Sequence, residues 1–352
     1  MDADVLIVGG GPAGSACAIV LARAGARCLL VERNAGPPCK VGEIVDSQVQ
    51  TPLKQLGVSG SLLGSRPLRS AGTASVWGSG VAERSAALDP YGGGYYVDRA
   101  RFETALLEAA VVARATVRCG CAVRTVQRRT AGWDVEVECD SGPRRIRAAL
   151  IVEANGRGRP LAGSEGRSRR DMLVALIAYL PEVGGPPDLR FLIEAAPDGW
   201  WYSSTLPGGQ RVLAFMTDAD LLPRGRAEQG RYFLQRYVET TFVSEQIGVL
   251  NPRTAPHAVP AMSTLRNRIH GEGWVAVGDA AASYDPLLGL GVSAALAKGL
   301  GLGTLLASDP TLAGGIYAEA ERETFAHYVR TKTTIYRRVG RWACEPFWSR
   351  RQ

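Results

Sequence analysis

A glycine-rich turn and an acidic residue shortly after it are the first groups in this chain whose types and spacing suit a chemical task. Residues 9–14 read GGGPAG between an apolar run at 4–8 and a helix-like run at 15–24, and Glu32 ends a second apolar run. Such a turn lets the backbone approach a pyrophosphate, which the N–H groups at the start of the following helix bind. A carboxylate at the position of Glu32 accepts hydrogen bonds from ribose hydroxyls. The pattern predicts an adenine dinucleotide site, and both NAD and FAD fit it.

A second glycine-rich segment, near the other end of the chain, distinguishes between these two dinucleotides. Residues 273–281 read GWVAVGDAA, an apolar strand that ends at Gly278 and Asp279, and residues 285–292 read DPLLGLGV before a helix-like run. A carboxylate at the strand end can hold a polyol hydroxyl, which FAD has and NAD lacks. The glycine turn aims N–H groups and a helix N-terminus at an anion, the charge that a reduced flavin carries at its N1/O2 edge. The sequence therefore predicts FAD.

These segments, in this order, resemble those of the FAD-dependent aromatic hydroxylase superfamily. Residues 97–110, VDRARFETALLEAA, are similar to the superfamily helix whose arginine reaches the flavin, with Arg99 as the match and Arg101 as the second choice. The KVGE segment at 40–43 resembles the flavin-dependent tryptophan halogenases. Together with GWWYSSTLP at 199–207 and PFWSRR at 346–351, it resembles even more the flavoprotein monooxygenases that mature tryptophylquinone-type oxidases by oxygenating a protein-bound tryptophan.

Some positions depart from these family patterns. The Asp-Gly pair of the hydroxylases is Asn155-Gly156 here, so we expect poor direct oxidation of NAD(P)H and a separate flavin reductase as the electron source. The halogenase motif WxWxIP does not match residues 199–207, and no lysine falls between Lys54 and Lys298, which disfavours halogenation. Ser293 replaces the last Asn of the PxxGxGxN pattern, a smaller departure.

The motifs and the resemblance together assign site residues. Glu43 and Asp285, the two acids beside flavin motifs, are predicted to orient a substrate or deprotonate a ring hydroxyl, with a solvated carboxylate as the alternative for each. Trp201 is predicted to line the pocket, with core packing as the alternative, and Lys40 is predicted to neutralise phosphate or flavin charge. The predicted cofactor contacts are Gly9, Gly11, Pro12, Ala13, Gly14, Glu32, Arg33, Lys40, Arg99, Val123, Gly156, Gly278, Asp279, Pro286, Gly289, Leu290, Gly291 and Val292.

The elements that must position these residues predict an α/β fold. We expect a three-layer, Rossmann-like FAD-binding domain with an interleaved antiparallel-sheet substrate domain, as in the aromatic hydroxylases. Because flavin motifs lie at both ends of the chain, the expected FAD-binding domain is discontinuous, at 1–68, 99–160 and 262–310. The expected substrate domain is 69–98 and 161–261, followed by a C-terminal helical segment, 311–352. Apolar bursts at 173–179, 189–193, 200–206 and 211–217 predict strands that cover the flavin, and residues 226–247 and 313–340 have helical character.

Composition narrows the remaining alternatives. The 352 residues are 46% hydrophobic and 21% charged, as in an ordinary soluble protein. The net charge of +7 comes from scattered arginines without an aromatic-interleaved stripe, so nucleic acid is not expected as a partner, whereas an acidic partner or substrate stays open. The seven cysteines and three histidines lack metal-ligand or catalytic-triad spacing. We expect a cytoplasmic protein, because the cysteines are best explained as free buried thiols and no targeting segment is visible. We do not expect a membrane span, because Lys298 interrupts the apolar run at 289–307.

These arguments favour an FAD-dependent monooxygenase that hydroxylates an aromatic ring through a flavin hydroperoxide. The expected substrate is an aromatic small molecule or a tryptophan in a peptide or protein, and molecular oxygen is the co-substrate. Three alternatives remain: a flavin-dependent halogenase, an isoprenoid-type flavin reductase, and a non-catalytic flavin-binding assembly factor.

Overall fold

The computed structural model describes residues 1–36, 44–58, 67–90, 92–163, 165–181 and 187–352. Its helices are α1 (Pro12–Arg23), α2 (Gln50–Gln55), α3 (Arg99–Val112), α4 (Arg226–Val238), α5 (Phe242–Ile247), α6 (Gly291–Ser308), α7 (Ala313–Tyr336) and α8 (Pro346–Ser349). Short 3-10 helices lie at Ser47–Val49, Ala86–Leu88, Gly278–Ala280, Pro286–Leu288 and Gly340–Trp342. The described residues combine these helices with parallel and antiparallel sheets, which agrees with the predicted α/β class.

The larger of the two main sheets has eight strands and takes them from both ends of the chain. Its strands are β1 (Ala3–Val8), β2 (Cys28–Val31), β8 (Thr116–Arg118), β9 (Cys121–Arg129), β10 (Gly132–Cys139), β11 (Gly142–Glu153), β19 (His270–Gly271) and β20 (Trp274–Ala276). The order is β19-β20-β11-β1-β2-β8, with β20, β11, β1, β2 and β8 parallel, while β9 and β10 extend β11 as an antiparallel meander. β1 and β2 are buried almost throughout, which explains their continuous apolar sequences.

Helix α6 packs against α1 in the same core as this sheet. Its buried side chains, Val292, Leu296, Leu302 and Leu306 among them, belong to that core. By length and composition α6 would be able to cross a membrane. Its contacts with α1 place one face of it in this core, and the expectation that it does not span a membrane stays a prediction.

The second main sheet has seven strands and lies mostly in the middle of the chain. They are, in spatial order, β17 (His257–Pro260), β13 (Leu173–Pro181), β16 (Gln210–Asp218), β15 (Gly199–Leu206), β14 (Arg190–Ala196), β5 (Gly72–Val76) and β6 (Ala82–Ser85). All pairs are antiparallel except β14 with β5. The four strands predicted between residues 173 and 217 are confirmed. One face packs against α4 and α5, and the other packs against the end of α7 and the C-terminal residues.

Two small sheets connect these parts. One contains β12 (Arg167–Arg169), β18 (Thr264–Arg266) and β21 (Ala282–Ser283), and the other contains β3 (Ile44–Val45), β7 (Tyr95–Tyr96) and β4 (Leu68–Arg69). The eight-stranded sheet draws on residues 3–153 and 270–276, and the seven-stranded sheet on 72–85 and 173–260. The domain bounds given above stay a prediction.

The expectation of unpaired thiols is wrong for Cys121 and Cys139. These residues begin β9 and end β10, where the antiparallel register places them directly opposite each other with Cα atoms 4.1 Å apart, and they form a disulfide. Among the other cysteines that the structure describes, Cys17 and Cys28 are buried free thiols and Cys119 and Cys344 are exposed. The cytoplasmic location expected from free thiols stays a prediction.

Candidate active site

Four parallel strands of the eight-stranded sheet end side by side, and predicted site residues follow each of them. The register pairs Val8 of β1 with Val31 of β2 and with Glu153 of β11, and it pairs Glu153 with Ala276 of β20. The turn at 9–14, Glu32, the pair 155–156 and the pair 278–279 come directly after these ends. The structure therefore brings segments from both ends of the chain to the carboxyl edge of one sheet, which is where open α/β sheets bind ligands.

The turn at 9–14 has the shape that a pyrophosphate site requires. Gly9 has φ +114°, and a Cβ there would lie 2.3 Å from a carbonyl oxygen at the end of β11. A Cβ on Gly14 would lie 2.0 Å from the carbonyl oxygen of Gly9, so α1 starts in direct contact with the strand end. At Gly11, the N-cap of α1, no atom of the described residues comes within 4 Å of the Cβ position. This leaves space for a phosphate at the helix N-terminus. The next two predicted contacts are buried in the first turn of α1, Pro12 and Ala13.

Glu32 lies in the wall of a cavity beside this turn. Its Oε2 accepts a hydrogen bond from the amide of Gly10 at 2.8 Å, and its Oε1 accepts two from Asn34, at 3.1 Å from the amide and 2.8 Å from the side chain. The cavity has a volume of about 210 Å³ and is also lined by Leu107, Glu108, Val111, Val117 and Cys119. Carboxylate oxygens accept more than these bonds, so Glu32 is placed to receive ribose hydroxyls from the cavity.

Arg99 begins α3 next to the same cavity. It forms an ion pair with Glu103, which lines the cavity, at 2.5 Å; Glu103 is buried and Arg99 is partly buried. Arg101, the second choice, is instead exposed and pairs with Asp98 at 3.6 Å. Arg99 is therefore the better placed of the two to contact a cofactor, and its predicted contact with the flavin stays a prediction. Two further predicted contacts lie nearer the surface, Arg33 and Val123.

Asp279, the predicted polyol acceptor, is held by two arginines. Its Oδ2 is 3.2 Å from Nε of Arg157, whose guanidinium also donates to two backbone carbonyl oxygens at 2.7 and 3.0 Å. Arg167 donates to the backbone carbonyl of Asp279 at 2.6 Å and to that of Gly156 at 3.1 Å. The carboxylate remains partly exposed. Neither arginine was predicted from the sequence, although Arg157 directly follows the Asn-Gly pair at 155–156.

The second glycine turn leads into α6. Asp285 caps the 3-10 helix Pro286–Leu288 by accepting from the amide of Leu287 at 2.8 Å, and Gly289, with φ +64°, closes the turn. The remaining predicted contacts differ in exposure: Pro286 and Gly289 are half-buried, Leu290 and Gly291 are exposed, and Val292 is buried. The N-terminus of α6 is therefore accessible, and its dipole favours an anionic group there.

Asp285 itself is buried, with 4% of its surface exposed. Its Oδ2 accepts a hydrogen bond from the hydroxyl of Tyr336 at 2.7 Å. Burial raises the pKa of this carboxyl group, although Lys332 and the bond from Tyr336 act in the opposite direction. Both carboxylate oxygens are thus engaged by the protein, and a direct action of Asp285 on a substrate stays a prediction.

The structure places Trp201 in the core, which is the alternative to lining the pocket that was given for it above. Its ring is fully buried between aromatic side chains of β16 and α4, with centroid distances of 4.6 and 4.9 Å. Trp200 and Tyr202 lie on the opposite face of the sheet, where Leu287 of the second glycine turn also packs. Successive residues of a strand face opposite sides, and the apolar sequence of β15 does not indicate which side meets the site.

A carboxylate that the sequence analysis missed lies beside the first turn of α6. Asp46, which follows β3, accepts from the hydroxyl of Ser293 and, at 2.8 Å, from the amide of Gln48. Burial raises the pKa of Asp46. The one sequence feature that pointed to this contact is Ser293, which stands where the family pattern has Asn. The predicted residues Lys40 and Glu43 lie outside the described residues.

The residues present fit FAD. The open N-cap of α1 accommodates a pyrophosphate, the cavity at Glu32 accommodates an adenosine ribose, and the partly exposed Asp279 can accept from a ribityl hydroxyl. The N-terminus of α6 supplies positive potential for the flavin edge. All of these features lie along the same edge of the eight-stranded sheet, at its carboxyl ends.

Comparison with known proteins supports this assignment. The FAD binding domain family matches residues 2–339. A putative FAD-dependent oxidoreductase, LodB of Marinomonas mediterranea, is 29% identical over 99% of this chain and 96% of its own length. The solved structure of QhpG, a peptidyl tryptophan dihydroxylase essential for tryptophylquinone cofactor biogenesis, superposes with a TM-score of 0.82 at 26% identity, covering 100% of this chain and 79% of the other.

A second solved structure shows the same fold with a different chemistry. The myxobacterial chondrochloren halogenase CndH superposes with a TM-score of 0.86 at 24% identity, covering 99% of this chain and 86% of the other. The aromatic hydroxylase-like fold expected from the sequence is therefore confirmed. The chain belongs to the FAD binding domain family and is an FAD-dependent oxidoreductase of its hydroxylase and halogenase group.

Proposed function

We propose that this protein is a flavin-dependent monooxygenase that hydroxylates an aromatic ring, and that the ring is a tryptophan in a peptide or protein. The likeness to the peptidyl tryptophan dihydroxylase extends over the whole chain, which supports this substrate class. The surface beside the second glycine turn supports it independently.

The observation that carries the proposal is a partly open aromatic surface on the seven-stranded sheet. Phe191 stacks on Tyr202 with ring centroids 5.4 Å apart, and Tyr179 stacks on His257 at 6.0 Å. Phe191, Tyr179 and His257 are only partly buried. Leu287 of the second glycine turn packs against the same cluster as Phe191 and Tyr179. A planar ring that binds here would lie between aromatic side chains and the flavin turn, in a setting that excludes water.

The chain's own residues have three tasks in this reaction. FAD, once bound and reduced, supplies the activation of molecular oxygen. The two glycine turns and Asp279 hold the cofactor, the N-terminus of α6 stabilises negative charge at the flavin edge, and the aromatic surface orients the substrate ring. An indole ring is electron-rich, so its oxygenation requires little acid–base assistance from side chains.

We also propose that reduced flavin comes from a separate reductase. The side chain of Asn155 donates a hydrogen bond to the carbonyl of Arg159 at 2.8 Å, which an ionised Asp would not be able to do. The turn at residues 155–159 is thus held by the side-chain amide of Asn155, at the position where the hydroxylases have a charged Asp. We expect the purified holoprotein to bleach slowly with NADPH and rapidly with a flavin reductase present. Rapid bleaching by NADPH alone would contradict this proposal.

Mass spectrometry separates hydroxylation from its alternatives. The holoprotein is reduced, exposed to oxygen with chloride or bromide present, and assayed with tryptophan-containing peptides, free tryptophan and an isoprenoid. We expect a gain of oxygen on the peptide and little product from free tryptophan, because a peptide substrate needs an open pocket mouth. A halogenated product would instead establish a halogenase, and a gain of two hydrogens on the isoprenoid would establish a reductase.

Two observations argue against two of these alternatives. Lys298 and Lys332 both form buried ion pairs, with Glu321 at 2.6 Å and Asp171 at 2.5 Å, so neither is placed as the lysine that halogenases use. The family assignment makes the protein an enzyme, which contradicts the hypothesis of a flavin with a purely structural role.

A pair of substitutions tests the aromatic surface itself. Phe191→Ala removes a partly buried ring from the proposed substrate wall, and Tyr232→Ala removes a comparable ring from the opposite face of the sheet. We expect the first variant to raise KM for the peptide and the second to leave KM unchanged. Equal effects of both would mean that the surface does not contact the substrate.

A further inference from the structure

The hydroxyl group of Tyr336, the last residue of α7, connects three distant parts of the chain. It donates to Oδ2 of Asp285 at 2.7 Å and accepts from Nε1 of Trp200 at 2.9 Å. Tyr336 and Trp200 are completely buried and Asp285 nearly so. The second glycine turn, the end of α7 and the seven-stranded sheet thus meet in one hydrogen-bonded chain away from solvent.

Asp285 fixes the turn through its other polar groups. Its Oδ1 accepts from the amide of Leu287 at 2.8 Å, and its own amide donates to the hydroxyl of Tyr328 at 2.7 Å. The turn has few bonds of its own, among them the one from the amide of Gly289 to the carbonyl of Pro286 at 2.9 Å. The orientation of residues 285–289 therefore depends on where the Asp285 side chain is held.

The position of Tyr336 is in turn set by the C-terminal residues. Its ring packs against Trp77 and Trp348 with centroid distances of 5.7 and 5.9 Å. Trp348 is fully buried and donates from Nε1 to the carbonyl of Ala196 at 2.8 Å. Arg351 pairs with Asp218 at 2.5 Å, which fastens the end of the chain to the seven-stranded sheet. The hydroxyl of Tyr336 has little freedom to move away from Asp285.

We propose that Tyr336 is a positioning residue for the flavin: its hydroxyl orients Asp285, and thereby the turn at the start of α6, so that the C-terminal segment controls how the flavin ring is bound. A buried carboxylate without this donor would be left with an unsatisfied oxygen, which is costly in a dry site. The turn would rotate to find another donor, and the N–H groups at the start of α6 would no longer face the flavin edge.

The test uses the 352-residue chain and three variants of it. Tyr336→Phe removes only the hydroxyl, Asp285→Ala removes its acceptor, and the double variant removes both. Tyr237→Phe is the matched control, because Tyr237 is equally buried and its hydroxyl donates to the carbonyl of Gly248 at 2.6 Å, on the other side of the sheet. FAD affinity, the visible circular dichroism of bound flavin and the melting temperature of the apoprotein are measured for each.

We expect Tyr336→Phe to weaken FAD binding about tenfold, equivalent to about 1.4 kcal/mol, and to change the circular dichroism of the bound flavin. Asp285→Ala should weaken FAD binding at least as much, because it also removes the cap on Leu287. The double variant should bind FAD no more weakly than Asp285→Ala alone, since the bond from Tyr336 to Asp285 is already lost in that variant. Tyr237→Phe should change neither the FAD affinity nor the circular dichroism of the bound flavin, even if it lowers the melting temperature as much as Tyr336→Phe does.

Two results would overturn the proposal. One is unchanged FAD affinity and circular dichroism in Tyr336→Phe, and the other is full additivity of the two substitutions. If Tyr336→Phe does not fold, Trp200→Phe serves in its place, because it removes the N–H donor to the Tyr336 hydroxyl while leaving Tyr336 and Asp285 intact. The same change in circular dichroism, at smaller amplitude, is then expected, and a parental signal would contradict the inference.

Discussion

The two ends of the flavin site are built in different ways. At the nucleotide end, Glu32 is bound by Gly10 and Asn34, which lie 22 and 2 residues away in the chain. At the ring end, the second glycine turn and the start of α6 depend on Tyr336, 51 residues from Asp285, and on Asp46, 247 residues from Ser293. The hydrogen bonds that hold Glu32 thus lie within residues 10–34, whereas those that hold the ring end join segments far apart in the sequence.

Mutations at the two ends should therefore differ in whether they change FAD affinity or the stability of the apoprotein. A substitution at the nucleotide end should change FAD affinity and leave the fold of the apoprotein largely intact, unless it strikes a backbone contact. A substitution behind the ring end should affect the protein even without flavin, because the same bonds join α7, the small sheets and the seven-stranded sheet.

The largest expected effect is at the ion pair behind the ring end. Lys332 donates to Asp171 at 2.5 Å and to Ser263 at 2.9 Å, and Ser263 bonds the hydroxyl of Tyr328, which receives the amide of Asp285. Lys332→Met leaves a buried carboxylate uncompensated, so we expect a loss of about 3–5 kcal/mol in the free energy of unfolding. Denaturant titration of the apoprotein measures it. Lys54→Met, at an exposed lysine of α2, is the control and should have no effect.

The same pair predicts a pH dependence. Burial alone would raise the pKa of Asp171, but Lys332 and the hydrogen bonds to the carboxylate outweigh it and hold the pKa below its usual value of 3.8. A carboxyl group with a lowered pKa in the folded state stabilises the protein above its unfolded pKa, and this stability is lost as the pH falls through the lower, folded pKa. The parent should therefore lose stability below about pH 4, and this acid-sensitive component should be smaller in Lys332→Met. Identical acid profiles for the two proteins would contradict this account.

Second in size is a pair of glycine substitutions that separates folding from binding within the nucleotide end. Gly14→Ala places a methyl group 2.0 Å from the carbonyl oxygen of Gly9, so we expect the apoprotein to lose about 3 kcal/mol of stability. At Gly11 no described atom meets the new methyl group, so Gly11→Ala should keep the melting temperature of the apoprotein. It should nevertheless bind FAD poorly, because the methyl group takes the space of the phosphate. Equal melting temperatures for both variants would show that the turn adapts.

The features that could be predicted from the sequence are those encoded locally, and the features that depend on tertiary packing could not be predicted. The glycine turns, Glu32 and the four strands between 173 and 217 were predictable because each is encoded within one short stretch. The face of the sheet on which Trp201 lies was not predictable, because a strand that is apolar on both faces carries no period-two signal. The disulfide between Cys121 and Cys139 depends on the register of a hairpin, and the bond from Tyr336 to Asp285 depends on how α7 packs, so neither has a local signature in the sequence.

At Glu32 the expected effect is a direct loss of FAD affinity. Glu32→Ala removes the acceptor for the ribose and should weaken FAD binding by about 1–3 kcal/mol, the value of a charge-assisted hydrogen bond. Glu108→Ala, at an exposed acid that lines the same cavity, is the control and should bind FAD like the parent. Isothermal titration with FAD measures both. The cavity would not be the ribose site if the two variants lost the same affinity.

The smallest expected effect is at Asp279, where the two ends of the site meet. Its carboxylate is partly exposed and is already paired with Arg157 at 3.2 Å, so solvent and the guanidinium weaken what it contributes to a polyol hydroxyl. Asp279→Ala should therefore reduce FAD affinity by about 1 kcal/mol, and Asp279→Asn should lose less, because an amide oxygen in the same position still accepts the hydrogen bond. This order, with Asn closer to the parent than Ala, is what distinguishes a cofactor contact from an ion pair, since an ion pair with Arg157 would be lost equally in both variants. If both variants bind FAD as tightly as the parent, Asp279 anchors Arg157 and the turn after β11, and the polyol is held elsewhere along the sheet edge.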